Sequence, residues 1–274
     1  MNVHVDHRLP RLAASSYLNT APLIWSFLHG SLRGQVQLLT DKAPARCAEM
    51  LANGEVNAAL VPIIEYQRLA NVAVVPDICV GSRLAARSVV LATRLNNLKK
   101  VKRVALDDSS RTSVALVKII FSQFLGFEPD WMSLPSDLKS MLAHADAALI
   151  IGDPAMNIST RQFRVFDLAT LWREFTGFGF VFAMWMARKD CVEKIRAIDF
   201  AVARDEGLAN IQQIASSYSN QIDLSEDEIR NYLTKNIVFT VDEEMQKGLT
   251  LYFKLATKHR LVQSERSLEF LSRA

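Results

Sequence analysis

The sequence predicts an α/β protein of two lobes around a cleft, each lobe a mostly parallel sheet flanked by helices, with a helical C-terminal tail. Three observations carry this expectation. Strand-like and helix-like runs alternate from the N-terminal region to about residue 187. After that point the patterning is helical only. The chain has 274 residues at 50% hydrophobic, which places it near the size at which one core starts to divide. Parallel neighbours need crossover helices, so strand and helix in alternation imply parallel pairing.

Taken in order, Val36 to Leu39 reads as a strand, Pro44 to Asn53 as a helix ended by Gly54, and Val56 to Val61 as a buried strand. Ser88 to Ala92 is a further β-branched apolar run. A polar, basic loop over 93–102 leads to the strand Val104 to Leu106, which ends in Asp107. Thr112 to Leu125 has apolar residues at helical spacing behind a Ser/Thr cluster, and Ala145 to Ile151 is a buried strand running into Gly152-Asp153-Pro154. Phe163 to Phe166 and Phe180 to Met186 are the last strand-like runs. Helices follow over Cys191 to Glu206 and Gly207 to Tyr218. A capping box, Ser225 with Glu228, opens another to about Lys235, and a final one starts near Asp242. The runs at 87–93 and 180–187 are expected to cross between lobes, because the elements between them form a self-contained set. One lobe is then 1–92 with 184–274, and the second, 93–183, is inserted into it.

Charge and cysteine usage exclude several classes. Thirty-two basic and twenty-nine acidic residues leave a net charge of +3. The one basic cluster, Lys99, Lys100, Lys102 and Arg103, lacks interleaved aromatics and reads as a solvated turn, so no nucleic-acid partner is expected. Cys47, Cys79 and Cys191 are odd in number and widely spaced, which fits neither a disulfide framework nor a zinc site. Met1 to Ser16 has no apolar signal core, and the longest nearly apolar stretch, Gly177 to Ala187, is about half a membrane span. A cytoplasmic protein without a membrane partner is expected. His4-x-x-His7 has metal-ligand spacing but reads as a loose terminus. The histidines are scattered, and G-x-S-x-G, Walker A and G-x-G-x-x-G patterns are lacking, so neither metal nor cofactor is expected.

Ligands of open α/β sheets bind where strands end and helices begin, because free N–H groups and the helix dipole favour anions there. Polar residues gather at four such points. In Ser15 to Leu23, Asn19 or Thr20 can cap a helix whose first turn suits Pro22; with Thr20 as cap, Asn19 is left for another task. In Asp107 to Ser113, four hydroxyls and Arg111 at a helix start suit a carboxylate or phosphate. Asp107 and Asp108 point to opposite sides of an extended segment and so do not share a metal. In Leu149 to Ala155, Gly152 permits close backbone approach, and Asp153 caps a helix or orients a substrate hydroxyl. In Arg87 to Val90, Ser88 is either satisfied by backbone or turned into the cleft.

Five motifs in order, Ser16-Tyr17-Leu18-Asn19-Thr20-Ala21-Pro22-Leu23, Arg87-Ser88-Val89, Ser110-Arg111-Thr112-Ser113, Ile151-Gly152-Asp153 and Thr176-Gly177-Phe178-Gly179-Phe180-Val181-Phe182-Ala183-x-Trp185, resemble the chorismate dehydratases of the futalosine route to menaquinone. Gly179 stands where most members are expected to carry proline, and Val80 to Ala86 also departs from the pattern. The resemblance implies a type II periplasmic-binding-protein-like fold and a carbon–oxygen lyase that removes water from chorismate to give 3-[(1-carboxyvinyl)oxy]benzoate. It implies Asn19 and Ser88 nearest the reacting centre, Thr20, Thr112, Ser113, Gly152 and Asp153 as substrate contacts, and Arg87 and Arg111 as partners for carboxylates. With no His or Glu in these motifs, the substrate's own enolpyruvyl carboxylate is the expected base. A homodimer is compatible with this reading. The alternatives are the sister enzyme that makes 1,4-dihydroxy-6-naphthoate, for which a histidine and a different first motif are expected, and a solute-binding protein for small anions.

Overall fold

The computed structural model describes residues 9–272, so His4 and His7 lie outside the described residues. Among the described residues, ten strands form two five-stranded sheets. The first contains β1 (Arg11–Ser15), β2 (Gln37–Asp41), β3 (Ala58–Pro62), β4 (Val72–Ser82) and β10 (Phe180–Arg188), in the order β2-β1-β3-β10-β4. The second contains β5 (Val89–Thr93), β6 (Arg103–Asp107), β7 (Asp130–Leu134), β8 (Ala147–Ile151) and β9 (Arg164–Asp167), in the order β7-β6-β8-β5-β9.

Both sheets are mixed, which corrects the expectation of mostly parallel ones. β1 runs parallel to β2 and β3, but β10 is antiparallel to both β3 and β4. Likewise β6 is parallel to β7 and β8, whereas β5 is antiparallel to β8 and β9. The reason lies in how each sheet is entered. β5 and β10 are the strands by which the chain arrives from the other sheet, and no crossover helix within the sheet dictates their direction. The chain passes between sheets at 83–88 and again at 177–179, next to the expected runs. β5 lies wholly in the second sheet, whereas the sequence reading ends the first lobe at residue 92.

The helices are α1 (Ala21–His29), α2 (Pro44–Ala52), α3 (Thr112–Ile119), α4 (Leu138–His144), α5 (Asp153–Met156), α6 (Leu168–Thr176), α7 (Val192–Arg196), α8 (Phe200–Ala209), α9 (Ile211–Ser219), α10 (Glu226–Asn231) and α11 (Glu243–Lys258). α3 continues as a π-helical turn over Ile120–Leu125, and α10 continues as another over Tyr232–Asn236. The capping box forms as expected, with Ser225 and Glu228 bonded reciprocally. The single helix expected over Cys191 to Glu206 is instead broken, because the Asp199 side chain accepts from the N–H groups of Ala201 and Val202 and starts α8 afresh.

A continuous apolar core joins the two sheets. At the return crossing, Trp172 of α6, Phe180 of β10 and Tyr252 of α11 meet edge to face, with the Phe180 centroid 5.4 Å and 5.0 Å from the other two rings. Gly179 has a specific reason to be glycine here. Its N–H donates to Glu244 of α11 at 3.1 Å, and a Cβ would lie 3.1 Å from the Ser82 carbonyl oxygen. Proline, the residue that the resemblance leads one to expect here, has no such donor, and glycine leaves the crossing free to bond to α11.

Candidate active site

Between the sheets lies a cavity of about 60 Å³, small beside the roughly 300–1,000 Å³ of small-molecule sites. A substrate therefore enters only when the lobes part. Polar contacts hold them together. Leu18 N–H donates to Asp153 Oδ1 at 3.0 Å, Ala45 N–H to the Ser109 carbonyl at 3.1 Å, and Ile64 N–H to Thr112 Oγ1 at 3.2 Å. Arg111 reaches across to Glu49 at 2.9 Å and Glu65 at 2.8 Å.

Asn19 and Thr20 line the cavity from a 3₁₀ turn, Leu18–Thr20, that runs into α1. The Thr20 hydroxyl does not cap the helix. It pairs instead with Ser15 Oγ at 2.8 Å and donates to Asn19 Oδ1 at 3.3 Å, which orients the amide. Ser88 is buried and is not a lining residue. Its hydroxyl donates to the Ala86 carbonyl at 3.3 Å and accepts from the Tyr232 phenol at 2.6 Å. The Asn19 side chain also acts on that phenol, easing its ionisation against the effect of burial.

The second lobe presents Ser110, Thr112 and Ser113 at the start of α3, where unpaired N–H groups face the cavity end of the helix. Arg111 and Arg87 do not line the cavity, contrary to the expectation that they meet substrate carboxylates. The Arg111 guanidinium is committed to Glu49 and the buried Glu65. Arg87 sits at a left-handed φ of 59°, and its backbone N–H is held by Asp167 Oδ2 at 2.6 Å. Asp107 is likewise spent on structure, accepting from the Ser109 hydroxyl at 2.6 Å, Ser136 at 2.7 Å and the Ile151 N–H at 3.3 Å.

Gly152 also lines the cavity, at φ 69°, with the Tyr17 ring so close that a Cβ would lie 2.5 Å from it. Burial pushes the Tyr17 phenol up to about 12, with the Asp107 charge adding to the effect. Asp153 does not line the cavity and does not cap α5. It caps the opposite lobe through Leu18, and burial in the closed cleft raises its carboxyl from 3.8 to about 6 against the opposing pull of that N–H.

A raised carboxyl favours the folded state when protonated. Its contribution is full below pH 3.8 and is lost as pH rises through about 6, a swing on the order of 3 kcal/mol. Asp153→Asn should therefore gain Tm relative to the parent between pH 4 and pH 7. Parallel Tm curves for the two proteins would sink this assignment.

A family model described as menaquinone biosynthesis matches residues 10–258. The chain belongs to this menaquinone biosynthesis family. A curated relative, the chorismate dehydratase of Thermus thermophilus, is 28% identical over 265 residues, spanning 88% of this chain and 93% of its own length. Among solved structures, a protein from Archaeoglobus fulgidus superposes with a TM-score of 0.69 at 14% identity, covering 94% of this chain and 100% of its own. The periplasmic aliphatic sulphonate binding protein of Escherichia coli gives 0.62 at 16% identity, covering 97% and 94%. The expected periplasmic-binding-protein-like architecture is thereby borne out. No helix among the described residues is long and apolar enough to cross a membrane.

Several residues at this family member's site carry no role in the sequence reading. Pro44 lines the cavity at the start of α2, and the same strand-end rule that selects Thr112 would find it. Ser15, Tyr17 and Ser110 lie inside the polar clusters, but nothing in their local sequence sets them apart from their neighbours. Pro62 and Phe182 are apolar lining residues without a local signal. Tyr218, whose phenol donates to the Ser16 carbonyl at 3.0 Å, and Tyr232 come from the helical tail, where a lone tyrosine has no signature in sequence.

Proposed function

We propose that this member of the menaquinone biosynthesis family is a chorismate dehydratase, a hydro-lyase giving 3-[(1-carboxyvinyl)oxy]benzoate, acting in the cytoplasm on the futalosine route. The observation that carries the reading is the character of the cavity. Its polar lining consists of hydroxyls, one amide and the start of α3, with no carboxylate or imidazole among the described lining side chains. Such a wall can orient a polyanion and stabilise developing charge, but it supplies no base of its own.

Chorismate suits that wall because it carries its own base. Its enolpyruvyl carboxylate takes the ring C3 proton, and the electron pair is delocalised through the diene onto the ring carboxylate. Loss of the C4 hydroxyl then aromatises the ring, and the C3 proton and the hydroxide leave together as water. In this scheme Asn19 positions the C4 hydroxyl or the enolpyruvyl group, and Ser88, which does not line the closed cavity, hydrogen-bonds near the departing water when substrate widens it. Ser110, Thr112, Ser113 and the α3 N-terminus hold the ring carboxylate, with Thr20 and Gly152 in contact. Arg111 acts at one remove, by drawing the lobes together through Glu49 and Glu65.

Purified protein incubated with chorismate alone is expected to release the aromatic product. Chorismate esterified at the enolpyruvyl carboxylate is expected to bind and not react, whereas normal turnover of the ester would exclude the substrate's carboxylate as base. Chorismate binding without product would return the chain to a solute-binding role.

A further inference from the structure

We propose that Tyr232 is a positioning residue that sets the geometry of Ser88 from the C-terminal helical tail. The inference rests on the dehydratase reading. Tyr232 opens the π-helical turn after α10 and is fully buried. Its phenol donates to Ser88 Oγ at 2.6 Å, and Ser88 donates onward to the Ala86 carbonyl at 3.3 Å. The Asn19 side chain acts electrostatically on the same phenol. Asn19 Oδ1 accepts from Thr20 at 3.3 Å, which leaves its NH₂ as the polar group available to that phenol. The result is one directed chain, Tyr232 to Ser88 to the Ala86 carbonyl, that ties the helical tail to the crossing segment 83–88. The same π turn grips that crossing a second time, through Asn236 Nδ2 to the Ala85 carbonyl at 2.9 Å. π-helical insertions recur at functional sites because they re-aim a side chain within a helix.

Without the phenol hydroxyl, the Ser88 hydroxyl loses its donor, and the Asn19 amide loses a polar neighbour. Both remain present but are less well aimed, and misplacement of this kind costs on the order of 100-fold in rate. Burial holds the phenol well above its ordinary range, so it works as a neutral donor and its removal leaves the pH dependence of kcat unchanged.

The test is Tyr232→Phe, which deletes one oxygen and keeps the ring. With chorismate as substrate, kcat is expected to fall on the order of 100-fold, with KM little changed and the pH profile of kcat retained. In a Ser88→Ala background the same substitution should have only a small residual effect, because its main partner is already gone. Wild-type kcat in Tyr232→Phe, or the full loss in both backgrounds, overturns the proposal. Failure of the parent protein to turn over chorismate overturns the dehydratase reading and this role with it. If Tyr232→Phe does not give a cooperative melt, the Asn19→Ala and Ser88→Ala pair decides, since strictly additive losses in kcat would exclude a shared link.

Discussion

Asn19→Ala should lower chorismate turnover by about 10²- to 10³-fold, the range seen when one preorganised donor is removed from a site that stabilises developing charge. Three features make the loss large. Among the described residues, Asn19 is the one lining side chain that presents an amide. Its orientation is set by Thr20, which donates to its Oδ1 at 3.3 Å. No neighbour can replace it, since Thr20 and Ser15 are paired with each other at 2.8 Å. Steady-state kinetics with a thermal melt as control reads the effect, and the melt should stay near that of the parent because the removed group bears little on the core. A loss below about tenfold would remove Asn19 from the reacting centre.

Gly152→Ala is expected to block closure. The residue combines φ 69° with ψ −154°, a region populated almost only by glycine and costing other residues about 1–3 kcal/mol. Its added Cβ would also lie 2.5 Å from the Tyr17 ring of the opposite lobe. Opening the cleft is the cheapest relief, because Tyr17 and Gly152 follow strands of different sheets, β1 and β8. An opened cleft breaks the hydrogen bonds that complete the site, including the one from Leu18 to Asp153. Turnover should fall by on the order of 100-fold, and X-ray scattering with saturating chorismate should show a larger radius of gyration than the parent. Tyr17→Ala in the same chain should restore part of the compaction. A variant as compact and active as the parent would mean that the lobes need not close around Tyr17.

The alternation of elements and the four polar clusters are legible because their signals are local. Buried strands such as Ala58–Pro62 and Ala147–Ile151 are unbroken apolar runs, and the Ser225 capping box lies within four residues. β1 escapes a sequence reading because Arg11–Ser15 is short and rich in alanine, and β4 because Pro76 and Asp77, the latter at φ 61°, interrupt its pattern. The antiparallel entry of β5 and β10 depends on the route between sheets, which no window of sequence records. The candidate site follows the same division. Asn19, Thr112, Ser113 and Gly152 stand at strand ends, where the chemistry of the chain itself points to them. The commitment of Arg111 to Glu49 and Glu65 has no such local sign, because those partners lie 62 and 46 residues away.

The strand order has a consequence for the growing chain. β10 sits between β3 and β4, so during synthesis the first sheet lacks the strand that joins those two until residues beyond 188 have left the ribosome. The second sheet needs only residues 89–167 and can form while the first still exposes two unpaired edges. Unpaired edges invite wrong partners. The inserted lobe is thus expected to mature first, and a pause in translation before β10 would leave the cell holding one finished lobe beside a half-built one.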